Sequence, residues 1–237
     1  MTEFAETLRQ LSAAQKPAKG TSLYTRFVNR PAGRLLAALA FRVGATPNQL
    51  TVLGAAFTFP ALVTVALLPP GPTTSLCIAA SLAVGFALDA ADGQLARSQR
   101  SGSPSGEWLD HVLDCAKIVT LHLVVLVSFY RFFALPSRAF LLAPLLFQLA
   151  AVVIFFAGIL TEKLKRPAPG DAGAGSAPAP APALRSVLLL PVDYGLTCLS
   201  FLFLGSQDLF LALYCTLLVA HVLFMAAFLV KWYRELS

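Results

Sequence analysis

The sequence predicts an all-α integral membrane protein with six transmembrane helices preceded by an amphipathic interfacial helix. Apolar residues make up 57% of the 237-residue chain and charged residues only 13%, whereas soluble domains have roughly 25% charged residues. Several apolar runs reach about twenty residues, the length that a helix needs to cross the hydrocarbon core of a bilayer. These runs do not alternate between polar and apolar residues, which favours helices over a β-barrel.

Six apolar segments are the candidate spans, and each is bounded by Pro, Gly, Ser or charged residues. They cover residues 49–68, 75–97, 105–133, 139–161, 186–205 and 208–230. With this division, most Arg and Lys residues outside the spans lie on the side of the two termini, and only Arg131 and Arg138 fall on the other side. The positive-inside rule therefore predicts that both termini are cytosolic. The excess of Arg over Lys is compatible with a bacterial plasma membrane.

The remaining segments are assigned from composition. Residues 1–19 are predicted to be a variable cytosolic extension and residues 20–237 one membrane domain. Apolar and basic side chains alternate at helical spacing over residues 31–43, which predicts a helix lying in the membrane interface. The Ala/Pro/Gly tract at about residues 167–184 is predicted to be a flexible linker. The four scattered cysteines indicate neither a disulfide framework nor a zinc site, and the net charge of +6 is not taken as a sign of nucleic-acid binding.

Four aspartates within two consecutive spans are the most informative feature. Asp89 and Asp92 lie within about 60° of each other on a helical wheel, and Asp110 and Asp114 within about 40°. The short connection at residues 98–103 makes the two helices antiparallel neighbours, so the four carboxylates are expected to converge near the cytosolic surface. An ionised carboxylate at this depth costs several kcal/mol unless another group compensates it.

The acid cluster predicts a metal site. On the protein side only Arg97 and Lys117 are placed to offset the four negative charges, so we expect divalent cations to supply the rest. Oxygen ligands suit Mg²⁺ or Mn²⁺, and four carboxylates can hold two such ions, an arrangement that binds phosphate groups. Gly93, Ala96 and Gly106 leave the acid faces free of bulk, which allows close approach of a ligand or a helix.

These residues together resemble the signature of the CDP-alcohol phosphotransferase family. The matching positions are Asp89-x2-Asp92-Gly93-x2-Ala96-Arg97-x8-Gly106-x3-Asp110-x3-Asp114. The segment before the first span is similar to the family's P-N-x-x-T segment and reads Thr46-Pro47-Asn48-Gln49-Leu50-Thr51. The resemblance covers about residues 20–237.

The resemblance implies a reaction in which a CDP-alcohol gives its substituted phosphate to an acceptor hydroxyl and releases CMP. It implies two divalent metals on Asp89, Asp92, Asp110 and Asp114, with Asp114 also the general base. It further implies a homodimer. The implied CDP pocket consists of Asn48, Thr51, Gly93, Ala96, Arg97 and Gly106.

Contacts with the acceptor are less defined by the sequence. Lys117 either contacts phosphate or balances the acids. Arg26, Arg30 and Arg34 follow a four-residue spacing and either bind a phosphate or headgroup or form a solvated face. Asp193 either helps to bind the acceptor or reaches water at a helix end distorted by a proline.

The three histidines are predicted to be packing groups. His111 is displaced by about 100° from Asp110, so it is expected to point away from the acid face. His122 and His221 stand alone in apolar spans, where hydrogen bonds between helices are the usual role.

The resemblance to the family does not decide which CDP-alcohol is the donor and which alcohol is the acceptor. The favoured donor is CDP-diacylglycerol with a polar-alcohol acceptor. The alternative is a soluble CDP-choline or CDP-ethanolamine donor with a diacylglycerol acceptor, because Asp110-His111-x-x-Asp114 is similar to the D-H-G-x-D segment of that group. A divalent-cation transporter is the alternative from another class.

Overall fold

A computed structural model describes residues 8–9, 11–12, 21–165 and 183–237. Within these residues the chain forms helices and turns and no strand. A five-residue π-helix, Thr25–Asn29, precedes the first α-helix. The α-helices are α1 Arg30–Arg42, α2 Pro47–Leu67, α3 Pro72–Gln99, α4 Pro104–Phe132, α5 Leu142–Leu164, α6 Ala183–Leu188, α7 Tyr194–Ser200 and α8 Gln207–Leu236. Short 3-10 turns lie at Arg138–Leu141, Leu190–Val192 and Phe201–Phe203.

Local capping sets the ends of the helices that carry the site. Thr46 and Gln49 form a reciprocal capping box at the start of α2, which satisfies two of its free N–H groups. Ser103 accepts a hydrogen bond from the N–H of Gly106 at the start of α4. Arg100 ends α3 in the left-handed conformation, and only four residues then separate α3 from α4. These two helices therefore run antiparallel, as predicted, but the prediction that they are direct packing neighbours is wrong, because α2 packs against both of them and they make little contact with each other.

Five helices in the described residues are long and apolar enough to cross a membrane. They correspond to the predicted spans at 49–68, 75–97, 105–133, 139–161 and 208–230. The predicted span at 186–205 is not one helix but is divided among α6, α7 and two 3-10 turns. Pro191 removes a backbone donor and disfavours helical geometry at the residue before it, and Asp193 then starts α7 as its N-cap.

Contacts at the two ends of the bundle define the path of this divided segment. Lys165 after α5 pairs with Glu235 near the end of α8, at 2.5 Å. At the other end, Gln207 accepts a hydrogen bond from the N–H of Ala134 and donates one to the carbonyl of Phe132. Lys165 and Gln207 therefore lie at opposite ends of the bundle, and the described residues 183–206 between them form short pieces instead of one long helix.

The helix predicted for residues 31–43 is confirmed as α1. Its small residues face α3, and a Cβ atom on Gly33 would lie 2.9 Å from the Cβ of Ala90. Leu35 and Leu39 are on the outer side and exposed. Most of the predicted extension at 1–19 and of the predicted linker at 167–184 lies outside the described residues.

An aromatic core holds α4, α5 and α8 together around Phe147 and Tyr214, both fully buried. The Nδ1 atom of His122 lies 2.7 Å from the hydroxyl of Tyr214. His221 lies 2.9 Å from the carbonyl of Leu217 and its ring packs on Phe147. Both histidines are packing groups, as predicted.

Candidate active site

Lys117 links the two acid-bearing helices. Its ammonium group contacts Asp89 on α3 and lies 2.6 Å from Oδ1 of Asp114 on α4. Lys117 is 7% exposed. The structure therefore favours the interpretation in which Lys117 balances the acids over the one in which it contacts phosphate.

The other two aspartates complete one cluster. Asp92 is buried and accepts a hydrogen bond of 2.5 Å from the hydroxyl of Thr51 on α2. Asp110 and Asp114 bring carboxylate oxygens within 4.8 Å of each other, Lys117 joins Asp114 to Asp89, and Asp89 lies one turn from Asp92 on α3. The four carboxylates therefore converge, and their mutual repulsion at short range in a low dielectric calls for positive charge beyond one lysine.

A cavity of about 670 Å³ opens beside this cluster. Asp92 and Asp110 line it. All six residues predicted for the CDP pocket line it too, namely Asn48, Thr51, Gly93, Ala96, Arg97 and Gly106. The remaining wall includes the α4–α5 side, with Glu107, His111, Ile159, Glu162 and Lys163. The structure thus brings the whole predicted pocket together on one surface.

Two glycines keep space open for polar side chains of this cavity. A Cβ atom on Gly93 would lie 3.1 Å from Nη1 of Arg97, so the missing side chain gives the guanidinium room along α3. A Cβ atom on Gly106 would lie 2.9 Å from Oδ1 of Asn48. Because real Cβ contacts are rarely this short, either side chain would have to shift on substitution.

The three arginines near the N-terminus do not line the cavity as the structure describes it. Of the three, Arg30 is the one whose positive charge repels that of Arg97. Burial and the like charge of Arg26 lower the pKa of the Arg30 guanidinium. Arg26 lies over the ring of Phe27. Arg34 donates a hydrogen bond of 2.6 Å to the hydroxyl of Ser12.

Asp193 is occupied by structural hydrogen bonds. One carboxylate oxygen accepts from the hydroxyls of Ser22 and Thr25, the latter at 2.6 Å, and the other accepts from the N–H of Gly195. Asp193 is buried and is not part of the cavity lining described here. Asp193 therefore joins the segment before α1 to the start of α7. The helix distortion expected near Pro191 did not predict this structural role.

The prediction that His111 points away from the acid face is wrong. His111 lines the cavity, its Nε2 atom lies 3.8 Å from Glu107, and a ring nitrogen lies within 4.8 Å of ligand oxygens of Asp110 and Asp114. The cavity extends beyond the acid face of α4 as far as α5, which forms its far wall. A side chain that is displaced by 100° from Asp110 around α4 therefore still reaches the cavity. The i, i+4 spacing of Glu107 and His111 was the available signal in the sequence.

Comparison with known proteins decides the family. The sequence profile of the CDP-alcohol phosphatidyltransferase family matches residues 44–233. The chain belongs to this family. It is therefore a membrane-embedded phosphotransferase that uses a CDP-alcohol. A comparison with curated proteins found no match.

Solved structures share this fold. The chain is similar to phosphatidylinositol phosphate synthase (PgsA1) of Mycobacterium tuberculosis with CDP-DAG bound, with 20% identity and a TM-score of 0.58 over 87% of this chain and 94% of that one. The same enzyme in complex with manganese and citrate gives 20% identity and a TM-score of 0.56 over 87% and 89% of the two chains. At this identity the likeness supports the fold.

Proposed function

We propose that this phosphotransferase moves the substituted phosphate of CDP-diacylglycerol to the hydroxyl of a polar alcohol and releases CMP, as a step of phospholipid synthesis. The observation that carries the proposal is the cavity in which the signature residues and the acid cluster meet. The similar fold with CDP-DAG bound supports the choice of donor.

A groove beside the cavity supports a lipid-linked donor. It has a volume of about 420 Å³, shares Asn48 with the cavity and is lined otherwise by Gln49, Val52, Leu53 and Ala56 of α2. Val52 and Leu53 are exposed on the outer side of the bundle. An apolar groove that meets a polar cavity suits a substrate with a nucleotide at one end and hydrocarbon at the other.

Residues of the chain would bind and orient the nucleotide. The guanidinium of Arg97 faces the cavity and can pair with a pyrophosphate. Asn48 offers an amide to a base or ribose. Thr51 holds the Asp92 carboxylate in one orientation through its hydrogen bond.

The donor set fits two divalent cations, Mg²⁺ or Mn²⁺, held by Asp89, Asp92, Asp110 and Asp114, because carboxylate oxygens are the ligands these ions prefer. The related crystal structure with manganese supports this assignment. Such ions neutralise charge that develops on transferring phosphate groups.

Asp114 is the proposed general base for the acceptor hydroxyl. A second candidate is His111, because it lies on the cavity wall beside Glu107 whereas Asp114 is paired with Lys117. Imidazole is the side chain that most often transfers protons in catalysis. His111 is also the residue that makes Asp110-His111-x-x-Asp114 similar to the segment of enzymes with a soluble CDP-aminoalcohol donor and a diacylglycerol acceptor, which is the alternative function.

Location and assembly complete the proposal. We place the protein in a bacterial plasma membrane, with both termini and the cavity on the cytosolic side, because most basic residues outside the spans lie on that side. We also propose a homodimer, which rests on the family resemblance alone.

The deciding experiment follows CMP release by the purified full chain. CDP-diacylglycerol is offered with glycerol phosphate or inositol phosphate, and CDP-choline with diacylglycerol, each with Mg²⁺ or Mn²⁺. Release only from CDP-diacylglycerol supports the favoured function, and release only from CDP-choline supports the alternative. Divalent-metal flux into liposomes without nucleotide, together with no CMP release from any pair, would establish a transporter instead.

A further inference from the structure

Lys117 lies deeper than the cavity. Asp110 of α4 lines the cavity, Asp114 follows it by one turn and Lys117 by about two. The ammonium group of Lys117 contacts Asp89 and Asp114, and neither it nor these two carboxylates belong to the described lining. Lys117 therefore contacts the carboxylates from the side away from the cavity. It does not face the space that a phosphate would occupy.

Tyr194 supplies a second polar group at this level. Its ring packs edge-on against Phe86 at 5.1 Å, and Phe86 precedes Asp89 by three residues on α3. The Tyr194 hydroxyl is buried and has no oxygen or nitrogen partner among the described residues, with only the weakly accepting thiol of Cys198 beside it. The ring of Tyr194 therefore lies against the turn of α3 that precedes Asp89.

Both groups are costly to keep in the interior. A buried hydroxyl without a partner costs about 1–3 kcal/mol, and a buried ammonium is tolerated only when it is paired. Leu and Phe at these positions would avoid the cost, so the retention of two donors beside two carboxylates calls for a functional reason.

We propose that Lys117 is a positioning residue beneath the acid cluster, which holds Asp89 and Asp114 side by side in the orientation that the metals and the acceptor require, and that the buried Tyr194 hydroxyl is a second donor at this level. The inference rests on the proposed function. Lys117 joins a carboxylate of α3 to one of α4, where like charges would otherwise separate them. Hydrogen-bond partners behind metal ligands typically change affinity or activity by about 10–100-fold when they are lost.

The first test compares Lys117→Met with wild type and with Lys165→Met, which removes a lysine paired with Glu235 outside the site. Mn²⁺ affinity is measured by EPR of the full chain in detergent, and CMP release is measured on the same samples. For Lys117→Met we expect kcat to fall about tenfold or more and KM for the CDP-alcohol to stay within about threefold. We also expect weaker Mn²⁺ binding, because the two carboxylates are no longer held side by side. Tighter Mn²⁺ binding would show that Lys117 only competes for the carboxylates and would overturn the proposal. A raised KM with unchanged kcat and Mn²⁺ affinity would assign Lys117 to phosphate binding and overturn the proposal.

The second test uses Tyr194→Phe, which keeps the ring, with Tyr214→Phe as the matched control in the aromatic core. We expect kcat and Mn²⁺ affinity to fall in Tyr194→Phe and to stay at wild-type level in Tyr214→Phe. If Lys117→Met does not fold, the comparison of Tyr194→Phe with Tyr214→Phe tests the proposal instead. Wild-type kcat and Mn²⁺ affinity in Tyr194→Phe would overturn the proposal. Mn²⁺ binding needs no turnover, so a wild-type protein that releases no CMP rejects the proposed function separately.

Discussion

The hydroxyl of Thr51 on α2 donates a hydrogen bond of 2.5 Å to the carboxylate of Asp92 on α3. The contact joins the P-N-x-x-T segment to the acid cluster, two parts of the sequence that are 41 residues apart. Because Asp92 is buried, this donor decides which way one of the proposed metal ligands points.

Replacement of Thr51 by Val should therefore lower activity without unfolding the protein. The side chain keeps its shape but leaves a buried carboxylate without its donor, and hydrogen bonds to charged groups contribute about 1.5–3 kcal/mol. We expect kcat/KM for CMP release to fall about tenfold or more. Thr64→Val is the control, since Thr64 bonds only the carbonyl of Pro60 in its own helix. Equal activity of the two variants would contradict the positioning role of Thr51.

Gly93→Ala should weaken nucleotide binding. The new methyl group would lie 3.1 Å from Nη1 of Arg97, so the guanidinium must move within the cavity. A misplacement near 1 Å can cost about a hundredfold in rate, and we expect the KM for the CDP-alcohol to rise at least about tenfold. Gly158→Ala, where the added atom meets Trp232 at 3.5 Å, should keep the wild-type KM. An unchanged KM in Gly93→Ala would show that Arg97 does not bind the nucleotide.

Asp114→Asn and His111→Asn separate the two candidates for the general base. Loss of general base catalysis lowers turnover by about 10²–10⁴-fold. We expect this loss in Asp114→Asn, with CDP binding measured by calorimetry largely retained, and a smaller change in His111→Asn. The reverse order would assign the proton transfer to His111.

Removal of divalent metal should stop the reaction reversibly. We expect chelation to abolish CMP release and Mg²⁺ or Mn²⁺ to restore it, because the four carboxylates carry more negative charge than Lys117 and Arg97 offset. In Asp110→Asn the metal concentration for half-maximal rate should rise about 10–100-fold. Full activity after exhaustive chelation would exclude the metal site.

Gly195→Ala should destabilise the protein without touching the cavity. A Cβ atom there would overlap the ring of Tyr24 and lie 2.9 Å from Oδ1 of Asp193, where the segment before α1 is fastened to α7. Overpacking of this kind costs about 1–3 kcal/mol, so the melting temperature in detergent should fall relative to wild type. Gly158→Ala again serves as the control, and equal melting temperatures would show that the contact contributes little.

The sequence predicts the long helices and the acid cluster well because each depends on a local rule. Length and hydropathy indicate α2 to α5 and α8, and helical spacing with a short connection brings Asp89 and Asp92 toward Asp110 and Asp114. These rules need no knowledge of distant contacts.

The sequence predicts less where a distant partner decides the outcome. Pro191 is a local cause of the division of the span at 186–205, but the role of Asp193 depends on its contacts with Ser22 and Thr25, about 170 residues earlier. The position of His111 depends on how far α5 stands from α4. The pairing of Lys117 with two carboxylates depends on how α3 and α4 are placed around α2, so spacing alone left its role open.

The divided crossing also bears on how the protein enters the bilayer. Pieces such as α6 and α7 are too short, and Asp193 too polar, to partition into lipid without support. The Asp193 carboxylate is satisfied by Ser22 and Thr25 of the segment before α1 and by the N–H of Gly195, and α7 packs against α3. This crossing is therefore the step of biogenesis that waits for the earlier helices to assemble, and variants that loosen Ser22 or Thr25 should be lost to cellular quality control before any effect on catalysis is seen.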